Sequence, residues 1–311
     1  MKKTRYITDA AMVTAIAAVF LLLNNLSSGM LVSNLSFLLA IPVTIYGLKY
    51  DWEKAVIPGI ASTIIGVIIN LLVGLLYVLP ANIMAILYSF LLKRFPQKLK
   101  LKVFFMFLGA LVINVLTTVV FSKVLFGYTI VEETVEFANE ITNFIAPLFG
   151  KNDFLLNVIR AVFVSIIPAT IIVTSVIESL LTYLIISIIA NKLLKIDVGG
   201  ALVSVNLAIP SLVTYILLPI SLVSVFFIDN IVEYETFGIV QVLVTIGLNV
   251  LVVLCLGYLF EALALISLYS AKYQKQYLYI LSIFCIIIFP IGLILLGFLD
   301  SIFKFRYKLC F

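Results

Sequence analysis

Two acidic side chains, Glu178 and Glu261, interrupt long uncharged stretches, and their neighbours decide what chemistry they can do. Thr170, Thr174, Glu178 and Thr182 recur every four residues. A row at that spacing drifts only about 40° per step around a helix, so the four form one polar stripe that is expected to face other helices. A carboxyl flanked by hydroxyls is a donor set for a small ligand or a cation, and a buried carboxyl is also a group that can carry a proton. The third reading is packing, with each carboxyl protonated or hydrogen-bonded to nearby Ser, Thr, Asn249 or Gln241. All three stay open on the sequence. The texts Glu178-Ser179-Leu180 to Ser187 and Glu261-Ala262-Leu263 to Ser270 share an acid, a leucine two places on and a serine nine places on, a weak hint of two similar helices.

Other chemistry is excluded by composition. The chain has no histidine, and Cys255, Cys285 and Cys310 are scattered, so imidazole metal centres, thiolate clusters, histidine triads and a disulfide framework drop out. No Gly-x4-Gly-Lys-Ser/Thr loop is present, so any ATP would be used by a partner. No nucleophile with a matching base stands out, which argues against an enzyme, and no cofactor is implied.

The elements that position these groups are helices in lipid. Of 311 residues, 64% are hydrophobic and 11% charged. A hydrocarbon core takes about 20 apolar residues per helix, so this supply makes a polytopic membrane protein. Uncharged runs place nine spans near 7–23, 34–48, 55–73, 77–92, 103–126, 154–189, 211–228, 238–268 and 278–299. The basic start and Ser27-Ser28-Gly29 also fit a secretory signal, but hydrophobic segments continue throughout and the first run reads as a span. The stretch 55–92 is too long for one helix, and Gly74 with Pro80 offers a turn. Pro168 offers a kink in the long sixth segment.

Charge tests that count. With the amino terminus inside, fourteen Lys and Arg fall in inner segments and Lys123, Lys151 and Arg160 fall outside, a strong orienting bias, although nine spans also leave the tail with Lys304, Arg306 and Lys308 outside. The net charge of +5 therefore reads as loop lysines meeting anionic lipid rather than nucleic acid. Residues 127–151, with Glu132, Glu133, Glu136 and Glu140 among apolar positions, read as one amphipathic helix on the outer surface. Glu178 lies 14 residues before Lys192 and Glu261 11 residues before Lys272, hence about 20 Å and about 16 Å from those inner anchors. Arg160 snorkels to the outer face and lies too far along the same helix to pair with Glu178. Asn70, Asn82 and Asn114 read as helix-to-helix hydrogen bonds.

These features together resemble the YybS family of bacterial membrane proteins, also described as the DUF2232 group. The likeness covers nearly the whole chain and rests on Lys2-Lys3-Thr4-Arg5 leading into Ala10 to Ala15, the acidic outer segment, Ile209-Pro210, and the ending Gly297 to Arg306 with its Asp300, aromatics and Arg306. The first six spans also look like the substrate-binding subunits of energy-coupling-factor vitamin transporters. In those subunits an Ala-x3-Ala face docks onto a transmembrane coupling protein that works with ATPase subunits, and Ala11 and Ala15 match that spacing. Three spans after Lys195 have no counterpart there.

The expectation is an all-helical bacterial inner-membrane bundle with a cytoplasmic amino terminus. A six-span unit over 1–195 is followed by a three-span unit over 196–311. The implied function is small-molecule binding or transport without an ATPase of its own, with Thr170, Thr174, Glu178, Thr182, Asn249 and Glu261 as ligand or ion residues. The competing function is a membrane scaffold for envelope or signalling proteins. Nine spans put a reporter fused after Leu299 outside the cell; cytoplasmic reporter activity there removes one span.

Overall fold

The computed structural model describes residues 2–96, 98–149, 153–196, 209–228, 239–274, 285 and 290–306. The described residues are helical throughout, with no strand among them. By packing, the chain divides into two units, Met1–Ile130 with Thr174–Val205, and Val131–Val173 with Asn206–Phe311. This grouping follows which backbone segments lie close together, whereas the division at 195/196 follows the count of spans.

In the first unit, α1 (Lys2–Leu26) is followed by α2 (Met30–Leu35), a 3-10 turn and α3 (Ala40–Tyr50). Next come α4 (Trp52–Ile69), the short α5 (Leu71–Val73), α6 (Leu79–Arg94), α7 (Leu99–Val115) and α8 (Ser122–Phe126). The second unit opens with α9 (Ile130–Phe149) and α10 (Asp153–Ser165). The helix α11 (Ile167–Ile189) begins in the second unit and returns the chain to the first. The second unit resumes with α12 (Ser211–Phe226), α13 (Ile239–Lys272) and α14 (Pro290–Phe303). Among the described residues, six stretches are long and apolar enough to cross a membrane: Arg5–Leu26, Trp52–Ile69, Leu71–Arg94, Leu99–Leu125, Ile167–Lys192 and Ile239–Ser270. Three shorter apolar helices, Ser36–Tyr50, Ser211–Phe226 and Pro290–Phe303, fall on three further segments read as spans. Residues 278–284 and 286–289 of the ninth expected span lie outside the described residues.

Two expected turns move. The chain between the third and fourth segments reverses at Asn70, whose backbone is extended (φ −155, ψ 115), and not at Gly74 or Pro80. Asn70 caps the next helical turn, its Oδ1 accepting from the Val73 N–H at 3.1 Å, so it is a cap and not the helix-to-helix bond expected of it. Pro80 follows closely on a π-helical turn, Gly74–Val78, within the continuous stretch Leu71–Arg94, and that widened turn accommodates its missing N–H. Gly74 has a different task. A Cβ there would sit 2.6 Å from the Gly66 carbonyl carbon, so only glycine lets these antiparallel helices close so tightly. The long sixth segment breaks at Ile166, two residues before Pro168, into α10 and α11. The expected amphipathic helix forms as α9, with all four glutamates exposed and Ala138 and Thr142 buried.

The first unit holds two apolar clusters. One joins α3, α6, α7 and α11 through Leu48, Met84, Tyr88, Met106, Tyr183 and Ile186; the other joins α1 to α4 and α6 through Leu21, Val43, Tyr46, Ala55 and Ala85. Large apolar residues that remain exposed, among them Ile60, Ile64, Ile68 and Phe104, form the surface a bilayer would solvate. Charged groups gather at one end of the unit. Asp9 pairs with Lys49 and accepts from the Tyr50 hydroxyl at 2.6 Å, while Asp51 pairs with Lys93 at 2.6 Å. The Lys93 ammonium holds the Asp51 carboxyl below its ordinary value. Lys102, fully buried, donates to the Pro96 carbonyl at 2.9 Å and lies over the Tyr183 ring.

Gly74→Ala should destabilise the purified protein by about 1–3 kcal/mol, because the added methyl meets backbone that cannot give way. Thermal unfolding in detergent measures this, and an unchanged melting temperature would mean the hairpin relaxes freely.

Candidate functional site

A carboxyl inside lipid costs about 2.5–3.5 kcal/mol on insertion scales, so the partners each glutamate finds define the candidate sites. Glu178 lies on α11, partly buried, and is met by α7: Asn114 Nδ2 donates to Glu178 Oε2 at 3.1 Å and to Ser175 Oγ at 3.0 Å. Asn114 thus makes the interhelical bonds expected of it. The amide leaves the carboxyl uncompensated in charge while satisfying one of its oxygens. Tyr88 of α6 is 1% exposed, interacts electrostatically with Glu178, and has a hydroxyl without a hydrogen-bond partner. Thr182, one turn beyond Glu178, is equally buried, and its Oγ1 also lacks a partner. A carboxylate, an amide and two unpartnered hydroxyls on α6, α7 and α11 therefore gather in the first unit. Their chemistry is acceptor-rich and suits a small molecule that brings hydrogen-bond donors or positive charge.

The stripe is not uniform. Thr170 and Thr174 are exposed, and Thr170 Oγ1 donates to its own helix at the Ile167 carbonyl, 2.7 Å away. Only the Glu178 and Thr182 half enters the packed interior, because α11 is covered by α6 and α7 along its later turns. The expectation that the whole stripe faces other helices is corrected accordingly.

Asn249 and Glu261 do not join the Glu178 cluster. Asn249, on α13, donates from Nδ2 to the Ser165 carbonyl at 2.7 Å and accepts at Oδ1 from the Ala169 N–H at 2.7 Å. Ser165 and Ala169 are four residues apart across the break at Ile166. In an unbroken helix they would bond to each other. The Asn249 amide inserts between them and restores both bonds, with Pro168 removing a neighbouring donor. Nδ2 gives its other hydrogen to the Thr245 carbonyl at 2.7 Å. Both amide hydrogens and the carbonyl oxygen are thus engaged as a splint. Gln241 bonds to neither glutamate, and its Oε1 has no partner.

Glu261 is fully buried on α13 and accepts from the Ile209 N–H. Its charged company was not foreseen as a site: Arg306 Nη2 lies 3.8 Å from Oε1, and Arg306 Nε donates to Asp300 Oδ2 at 2.7 Å. Asp300 and Arg306 were visible in the sequence only as a closing Asp and Arg six residues apart. Arg160 donates to Asn157 one turn back, at 3.2 Å.

A groove of about 270 Å³ also opens between α4 and α6, lined by Ile60, Ile64, Ile83 and Ile86 with Gly59, Thr63, Leu79 and Asn82. Asn82 donates to the Gly59 carbonyl, Ser62 and Thr63 at 2.8–2.9 Å, so its amide is engaged in holding the two helices together.

Apolar helices long enough to cross a bilayer, with Asn82 and Asn114 bonding from helix to helix, define a multi-pass membrane protein. The profile of the predicted membrane protein family DUF2232 matches residues 15–301, and the chain belongs to that family. No curated protein and no solved structure matches it.

Asn249→Leu should strand the Ser165 carbonyl and the Ala169 N–H inside the bundle, at roughly 1–3 kcal/mol for each group left unsatisfied. Thermal unfolding measures the loss. Full stability in the variant would show that the break does not need the splint.

Proposed function

We propose that this protein binds a small molecule and moves it across the bilayer, as a membrane subunit without an ATPase of its own. The observation that carries the reading is the Glu178 cluster, where Tyr88 and Thr182 present buried hydroxyls without partners beside a carboxylate held by Asn114. Buried polar groups left unsatisfied are costly, and a ligand with donors or a positive charge is the kind of partner that meets them. In this reading the chain forms about nine spans in a bacterial inner membrane with its amino terminus in the cytoplasm, and it has no catalytic turnover. It is of the YybS type, with first six spans like the substrate-binding subunits of energy-coupling-factor transporters. Ala11 and Ala15 are exposed on α1, which leaves a small-residue face for close approach by a coupling protein partnered with ATPase subunits.

That same exposed face also favours a second reading, a scaffold for envelope or signalling proteins. Purification in mild detergent separates the two: a stoichiometric ATPase pair accompanies a transporter subunit, and an envelope enzyme accompanies a scaffold.

Glu178→Gln keeps the shape of the cluster and removes its charge. In proteoliposomes, uptake of a panel of small amines and cations should fall at least about tenfold, the equivalent of 1.4 kcal/mol of lost interaction. Uptake equal to that of the unmodified protein removes Glu178 from the mechanism.

A further inference from the structure

The second unit contains a buried cluster whose charges do not balance. Glu261, Asp300 and Arg306 are 0%, 2% and 4% exposed. Asp300 holds Arg306 twice, accepting from Nε at 2.7 Å and from its backbone N–H at 3.0 Å. The remaining Nη2 has no hydrogen-bond partner and reaches only to 3.8 Å from Glu261 Oε1. That oxygen is also claimed by the Ile209 N–H, while Glu261 Oε2 accepts from nothing. Tyr258, one turn earlier on α13 and 1% exposed, brings its hydroxyl into the same region, with Cys255 a turn before it. From α12 the cluster meets Thr214, which bonds Ser301 of α14 at 3.1 Å. Gly297 brings α14 directly onto α13, since a Cβ there would lie 2.6 Å from the Tyr258 carbonyl carbon.

Two carboxylates therefore converge on one guanidinium, and Asp300 has taken most of it. One negative charge remains in an interior where an unpaired charge is expensive. A single positive charge would restore the balance. A metal ion needs several oxygens around it and would sit beside a guanidinium of the same sign. A proton needs only one oxygen, and Oε2 is available.

We propose that Glu261 is a proton-binding site. A proton passes from hydronium to Glu261 Oε2, leaving water and a neutral carboxyl, and no other covalent bond changes. The neutral carboxyl donates through its new O–H and no longer attracts Nη2, so Arg306 is left to Asp300 alone. Loss of the proton restores the pull on Arg306 and strengthens the bond from Ile209. The occupancy of one oxygen thus sets how firmly the residues ahead of α12 and behind α14 are tied to α13. This site is separate from the Glu178 cluster, and it stands whether or not that cluster binds a ligand.

Infrared difference spectroscopy of the full chain in lipid tests the assignment at about pH 7, in the range where an exposed glutamate is ionised. The unmodified protein should show the carbonyl stretch of a protonated carboxyl. That band should shift when the protein is made with carboxyl-13C glutamate, persist in Glu178→Gln and vanish when Glu261→Gln is added to Glu178→Gln. The other described glutamates are exposed and contribute none. A missing band, a band that ignores glutamate labelling, or one that survives the double replacement of Glu178 and Glu261 by Gln overturns the proposal. So does its disappearance when sodium replaces potassium at fixed pH, which would mark a metal-ion site. Should Glu261→Gln fail to fold, Glu178→Gln decides: the labelled band remains if Glu261 holds the proton and is lost if Glu178 does.

Discussion

Within the hydrocarbon of a bilayer an amide, a hydroxyl or a carboxyl has no water to turn to, and every such group must be met by another part of the chain. This constraint explains where Asn82, Asn114, Asn249 and Thr44 place their side chains. Asn82 ties α4 to α6, Asn114 ties α7 to α11, and Thr44 donates back to the Ala40 carbonyl of its own helix at 2.8 Å. Asn249 is the clearest case, since it replaces a backbone bond that the break at Ile166 has opened. Apolar packing between helices supplies little specificity in lipid, because neighbouring acyl chains are equally apolar. The amides and the close contacts at Gly74 and Gly297 therefore fix which helices meet and in what register.

Much of this architecture is legible in the sequence because spans announce themselves by the absence of charge. Every described helix long or apolar enough to matter falls on one of the uncharged runs, and the acidic segment at 127–151 folds as the single amphipathic helix that its spacing implies. Turns are harder to read. Gly74 and Pro80 look like breakers by residue type, yet the proline is accommodated by the π-helical turn before it and the glycine at a helix crossing serves proximity. Asn70 carries the reversal through its side-chain cap, a property that hydropathy does not register.

The candidate sites are legible in part for a similar reason. Glu178 and Glu261 stand out because a carboxyl in a span is rare, and Asn114 was readable as an interhelical donor. The partners of Glu261 were not, because Arg306 lies beyond the last hydrophobic segment, where basic residues ordinarily report only orientation. Its return to Asp300, six residues back, depends on the chain leaving α14 at Lys304, whose positive φ of 53° turns the backbone inward. No spacing rule for a regular helix pairs positions i and i+6 on one face, so the contact belongs to the geometry of the helix end and not to a periodic pattern.

The two glutamates show two ways of holding a carboxyl away from water, with different consequences. Glu178 is met by the neutral amide of Asn114, which satisfies an oxygen without cancelling the charge, and the surrounding hydroxyls remain available. Glu261 is met by a cation already shared with Asp300, so its hold is weaker than its burial demands. A buried ion pair contributes little net stability when intact but is costly when one partner is left alone. Moving the helices apart would relieve that strain in an ordinary bundle. Here the direct contact of Gly297 with the Tyr258 backbone leaves little freedom to do so. The charge state of the cluster, rather than the spacing of its helices, is therefore the variable the second unit has left to adjust.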